Sequence, residues 1–154
     1  MPPQADQISS DRKLYTLVTQ TQPFTSYVLF PRVDSVGSGT LNGSNAHRPL
    51  VRVRMNATAY GALQNDTLPS GDTFPDGSIL LKEIIENGEV TLYAIMVRDR
   101  ENPLAGAGRL WAELRPDGDV FYSITNRGEG CVGCHALEKG TTNDLVRTFE
   151  RQNR

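Results

Sequence analysis

Two cysteines, two histidines and one tryptophan are all that this 154-residue chain carries of those residue types. A disulfide between Cys131 and Cys134 would close a tiny loop and stabilise little, so a hydrophobic core has to hold the fold. At this length one domain buries roughly two-thirds of its unfolded surface. Charge of one sign is also missing: 16 basic and 18 acidic side chains leave a net charge of −2, without the basic footprint of a nucleic-acid binder. No apolar run approaches the roughly 18–20 residues that a membrane-spanning helix needs. There are no internal repeats and no sign of a second domain. The composition is that of a small, soluble, slightly acidic domain.

Against that scarcity, both cysteines and one of the two histidines fall within five residues, Cys131-Val132-Gly133-Cys134-His135. C-x-x-C-H is the attachment signature of c-type haem. Each thiol can add across a vinyl group, and the adjacent histidine is held where its imidazole can serve as proximal iron ligand. A thioredoxin-like pair needs a strand-to-helix turn in a βαβ setting, which the neighbouring sequence does not provide. Zinc needs four ligands, and His47 is the only other histidine. The expected cofactor is one covalently attached haem c, with Cys131, Cys134 and His135 as attachment residues and His135 on the metal. Such attachment is normally completed outside the bacterial cytoplasm. The expected location is therefore periplasmic, although Met1-Pro2-Pro3-Gln4-Ala5-Asp6 has no apolar signal region. N-x-S/T triplets at Asn42, Asn56 and Asn65 carry no weight in such a protein.

The remaining sequence reads as strands and turns. Residues 1–11 form a polar tail, and Ser10 or Asp11 caps a helix carrying Leu14, Leu17 and Val18. Tyr27 to Phe30 is a brief apolar run, and residues 34–46 read as a flexible Gly/Ser/Asn loop. Val51, Val53 and Met55 alternate with Arg52 and Arg54, predicting a strand, after which Asn56 caps a short helix. Residues 79–86 and 89–98 flank Asn87-Gly88, a strong hairpin signal. A further strand covers 109–115, with Leu110, Ala112 and Leu114 opposing Trp111 and Glu113, and another covers 120–122. The haem motif opens a short helix near the C-terminus, and Asn143 is expected to cap a last helix containing Leu145, Val146 and Phe149. The fold class is mainly β (α+β): one domain with an antiparallel sheet and a few short helices.

Three features, FPDGSILLKE at Phe74–Glu83, the stretch Asn56–Tyr60 and CVGCH at Cys131–His135, resemble the cytochrome P-460 family, which includes the cytochrome c′-beta proteins. The resemblance runs over about residues 12–152 and implies that residues 12–154 are one haem-binding domain. It also implies that Lys82, which matches the family's lysine bonded to a haem meso carbon, sits at the haem edge and can cross-link there. From the residues alone, Lys82 shares a strand face with Leu80 and Ile84; the alternative is an edge-strand lysine whose head reaches water. The resemblance implies an open distal iron site, hydroxylamine or nitric oxide as ligand or substrate, a redox partner protein and a homodimer. For catalysis the candidates are Lys82, Asn126 and Glu129, the last two in the loop entering the haem motif. Met55, Met96, His47 and Lys82 are the side chains that could reach the distal side. Arg52 and Arg54 could bring a cation over the pocket or lie on a solvated face, and Phe74, Phe121 and Tyr122 could wall the pocket or fill the core. Three functions follow: hydroxylamine-oxidising enzyme, non-catalytic nitric oxide binder, and electron carrier.

Overall fold

The computed structural model describes residues 7–38, 49–137 and 140–152. It begins with helix α1, Asp11–Thr16, whose N-cap Ser10 accepts a hydrogen bond from the Lys13 amide at 3.1 Å. A wider π-helical turn continues through Leu17–Thr21. Leu14 and Val18, spaced four apart on one helix face, are both fully buried. Part of the expected tail is anchored. Ile8 packs against the core and its carbonyl accepts from Asn102 at 2.8 Å, while Asp11 accepts from the Ser123 hydroxyl and the Ile124 amide.

Seven strands form one antiparallel sheet: β1 (Val28–Leu29), β2 (Gly37–Ser38), β3 (Leu50–Met55), β4 (Ile79–Glu86), β5 (Glu89–Arg98), β6 (Arg109–Leu114) and β7 (Val120–Tyr122). Their order is β1-β3-β4-β5-β6-β7, with β2 also pairing β3. The mainly β fold class is therefore as the sequence predicts. Gly37 and Ser38, expected within a loop, instead pair with Val51 and Leu50. Positions 39–48, including Asn42 and His47, lie outside the described residues, as does Lys139.

The β4–β5 hairpin turns on Asn87 and Gly88 with φ of 53° and 80°, the left-handed pair that a type I′ turn requires. Both sheet faces are covered, which explains the unbroken run Ile79-Leu80-Leu81. On one face Ile79, Leu81, Ile95, Leu110, Ala112 and Leu114 pack with Leu14 and Val18. On the other, Val51, Val53, Met55, Leu80 and Ile84 pack with Phe74, Val146 and Phe149.

Helix α2 (Ala57–Tyr60) is capped by Asn56, as expected, but the residue does more. Its Oδ1 accepts from both the Ala59 and Ile79 amides at 3.0 Å, and its Nδ2 donates to the Gly77 carbonyl at 2.9 Å. Asn56 is buried, so its triplet offers no accessible acceptor.

The C-terminal segment differs from the sequence expectation. Asn143 does not cap an α-helix; it ends a 3₁₀ turn, Gly140–Asn143. Asp144 and Leu145 then adopt positive φ, 51° and 63°, which no helix accommodates. A second 3₁₀ turn covers Arg147–Arg151. Helix periodicity in the sequence cannot register such a reversal, because the buried partners of Asp144 come from distant strands.

Asn56→Ala removes a helix cap and leaves the buried Ile79 amide and Gly77 carbonyl without their partner. We expect it to cost about 2–4 kcal/mol, read as a lower urea midpoint at unchanged m-value. A loss below half a kcal/mol would reduce Asn56 to a cap that water can replace.

Candidate functional site

Strand register brings one row of side chains to one face. Val53 pairs with Lys82, Lys82 with Ala94, Ala94 with Glu113, and Glu113 with Tyr122. The next row is Met55, Leu80, Met96 and Trp111. Paired residues project to the same side of a sheet, so Lys82 and Glu113 stand on one surface. Opposite them lies helix α3, Cys131–His135. Between sheet and helix is a partly open, mainly apolar cavity of about 280 Å³, whose lining includes Lys82, Met96, Glu113, Cys131, Cys134 and His135.

Glycines shape the entry to α3. Gly128 and Gly130 have φ of 72° and 83°, and a Cβ on Gly128 would come within 2.5 Å of the Trp111 ring. That close approach lets Trp111 stand edge-on to the His135 ring, with centroids 5.0 Å apart, while its indole N–H donates to the Gly106 carbonyl at 2.8 Å. Within α3, Cys131 and Cys134 are one turn apart and both line the cavity. Neither is in a disulfide.

His135 Nδ1 lies 2.6 Å from the Leu145 carbonyl oxygen. A carbonyl can only accept, so Nδ1 carries a proton, and in the neutral ring the lone pair is on Nε2. This is the tautomer a metal-ligating imidazole needs. Arg147, buried beside α3, donates to Glu150 at 3.1 Å and reaches the Cys134 carbonyl at 3.4 Å.

Burial holds the Lys82 amine down at about 8, from an ordinary 10.5. The Arg151 and Arg147 charges push the same way, while Cys134 and Glu113 pull it back. Burial raises the Cys131 thiol, against a smaller opposing effect of the nearby Tyr122 hydroxyl. A redox-active pair depends on a lowered thiol, and this all-antiparallel sheet offers no βαβ unit. Among the described residues, no three His, Cys, Asp or Glu side chains cluster as a metal-ion site, which leaves the zinc reading without ligands there.

Of the residues singled out from sequence, Lys82, Glu129, Cys131, Cys134 and His135 come together around the cavity. Asn126 does not. It is exposed in the 3₁₀ turn Ile124–Asn126 and donates to the Ser123 carbonyl at 3.2 Å, so a catalytic role at the cavity does not fit its position. Glu129 reaches the rim, exposed, and its carbonyl accepts from the Tyr122 hydroxyl at 2.5 Å. Met96 lines the cavity, whereas Met55 is fully buried in the core. Arg52 and Arg54 do not lie over the pocket, and both are only partly exposed. Both clamp Glu83 at 2.6–2.8 Å on the other side of the sheet. Phe74 is core, Phe121 is exposed, and Tyr122 lines the cavity.

Sequence reading passed over Glu113 and Trp111 as cavity residues. Their signal was present in the parity of β6, where both oppose Leu110, Ala112 and Leu114. Only cross-strand register, however, reveals that Glu113 stands two strands from Lys82. Among known proteins, no family model and no curated protein matches this chain.

Because its folded-state pKa is the lower one, protonated Lys82 opposes folding below about pH 8, and that penalty fades as pH rises from 8 to 10.5. Lys82→Met should therefore raise the denaturation midpoint of cofactor-free protein at neutral pH, with the gain shrinking through that window. A gain independent of pH would show the amine to be fully hydrated.

Proposed function

We propose that this protein is a mono-haem c-type cytochrome of the cytochrome P-460 kind, which binds and oxidises small nitrogen compounds such as hydroxylamine. The observation that carries the reading is the setting of His135: Nδ1 lies 2.6 Å from the Leu145 carbonyl oxygen, and the ring lines the same apolar cavity as both cysteines. These residues fit a haem c. Cys131 and Cys134 would hold it by thioethers, and His135 Nε2 would be its axial donor. Bound there, the haem would supply an iron that takes a small ligand and accepts its electrons.

The chain's own residues supply the rest. An apolar wall of Val53, Leu80, Ala94 and Val146 limits water around the site. Glu113 provides a carboxylate on the cavity face, suited to accept protons as hydroxylamine is oxidised. Lys82 offers an amine of lowered pKa at the same surface, which would face the edge of a bound macrocycle. Electrons would pass to a partner protein. Periplasmic location, which follows from covalent haem attachment, and a homodimer, which rests on the family resemblance, complete the proposal. No helix among the described residues is long and apolar enough to cross a membrane.

A second reading, a nitric oxide binder without turnover, is favoured by one observation: Asn126 faces solvent and the Glu129 side chain is exposed. That leaves Glu113 as the half-buried carboxylate of the cavity. An electron carrier is favoured by Met96, whose thioether also lines it.

Protein matured with haem should show a mass increment of one haem that survives acidified acetone, and it should lose that pigment in Cys131→Ala/Cys134→Ala. Colourless wild-type protein would overturn the reading. Glu113→Gln should slow hydroxylamine-dependent reduction of a dye acceptor by about 10²-fold or more, with nitric oxide affinity unchanged. An unaltered rate would remove Glu113 from the chemistry. Wild-type protein that binds nitric oxide without turnover would favour the second reading.

A further inference from the structure

Asp144 is an acidic side chain almost closed off from solvent, and every group it holds comes from elsewhere in the fold. Its Oδ2 accepts from the Phe74 amide at 2.7 Å and lies 2.6 Å from Arg109 Nη2. Its Oδ1 is 3.7 Å from Arg98 Nη2. Arg109, the first residue of β6, is 1% exposed. Arg98, the last residue of β5, also donates to the Ala107 carbonyl at 3.0 Å. Two buried guanidinium groups and a backbone amide thus converge on one carboxylate.

The backbone at this point adopts conformations that L-residues avoid. Asp144 and Leu145 are consecutive residues in the left-handed region, and the second is a leucine, for which that region is especially unfavourable. Surrounding structure has to enforce it. Leu145 N–H donates back to the Gly140 carbonyl at 2.6 Å, and the carbonyl of the same residue accepts the His135 Nδ1 proton. Without the reversal at 144–145, the carbonyl would have no reason to face α3.

We propose that Asp144 is a positioning residue for His135: anchored by Arg109 and the Phe74 amide, it fixes the Leu145 carbonyl that orients the ring and sets its donor strength toward iron. This rests on the haem reading above. A well-held acceptor on Nδ1–H orients an imidazole and raises its basicity as a ligand. Loosening the acceptor weakens the donor and allows more than one ring orientation.

The test uses haem-loaded Asp144→Asn, with resonance Raman of the ferrous protein and its reduction potential as readouts. We expect the iron–histidine stretch to move to lower frequency and broaden, and the potential to rise, with covalent haem content unchanged. A merely structural Asp144 would lower the melting temperature and leave the stretch and potential at their wild-type values. That result in folded, loaded protein overturns the proposal while leaving the haem reading intact. Should Asp144→Asn not fold, Arg109→Lys carries the test, since it keeps the buried cation and loses the guanidinium fork. The same downward shift is expected, and a wild-type stretch overturns the proposal. Wild-type protein that never acquires covalent haem overturns both readings together.

Discussion

Strand register is the constraint on which the site depends. Side chains alternate along a strand, so a slip of one residue exchanges the two faces. Moved by one, β4 would turn Lys82 toward α1 and deliver Glu83 to the cavity. The Asn87-Gly88 turn fixes Glu86 opposite Glu89, and a one-residue bulge between Ile84 and Ile85 then shifts the pairing so that Lys82 comes opposite Ala94. From there β6 sets Glu113 beside Ala94. The placement of Lys82 and Glu113 thus follows from a tight two-residue turn and the bulge beyond it, reinforced by apolar burial on both faces.

Lys82 and Glu83 are neighbours with opposite treatment. Glu83 is nearly inaccessible, and burial alone would raise its pKa. Hydrogen bonds from Arg52 and Arg54 outweigh that, so the carboxylate stays charged and its pKa falls. Strand β3 places its two arginines opposite Glu83 and Leu81 to do so. On the other face, the cations around Lys82 add to the effect of burial, and the carboxylate of Glu113 offsets them only in part. One residue is held firmly in its charged form; the other loses its proton more readily than a free lysine. Buried groups with shifted pKa values concentrate at functional sites, and Lys82 puts such a group on the cavity face.

Local signals carried much of this to the reader of the sequence. The caps at Ser10 and Asn56, the Asn-Gly hairpin, the alternation in β3 and β6, and the Cys131–His135 cluster are all readable because each is decided within a few residues. The failures share a cause. Arg52 and Arg54 looked solvent-facing because their partner, Glu83, lies some thirty positions onward. Asn126 belongs to the loop entering the Cys131–His135 motif, yet the left-handed Arg127 that follows turns the chain and leaves it outside. The last helix failed because Asp144 answers to Arg98, Arg109 and Phe74, not to its sequence neighbours. Hydrophobic periodicity reports which face is buried; it does not report which distant charge will claim a carboxylate.

The C-terminal segment explains how so short a helix as α3 can present its side chains in a fixed geometry. Five residues cannot hold themselves helical in water, and α3 has no side-chain N-cap. Order has to come from outside. Gly128 lets Trp111 seat against the turn before it, Arg147 reaches the Cys134 carbonyl at its end, and Leu145 fixes His135 from behind. All three supports are anchored in the sheet or in the segment that Asp144 binds to the sheet. The side chains of Cys131, Cys134 and His135 are therefore set by the large fold and not by the small helix.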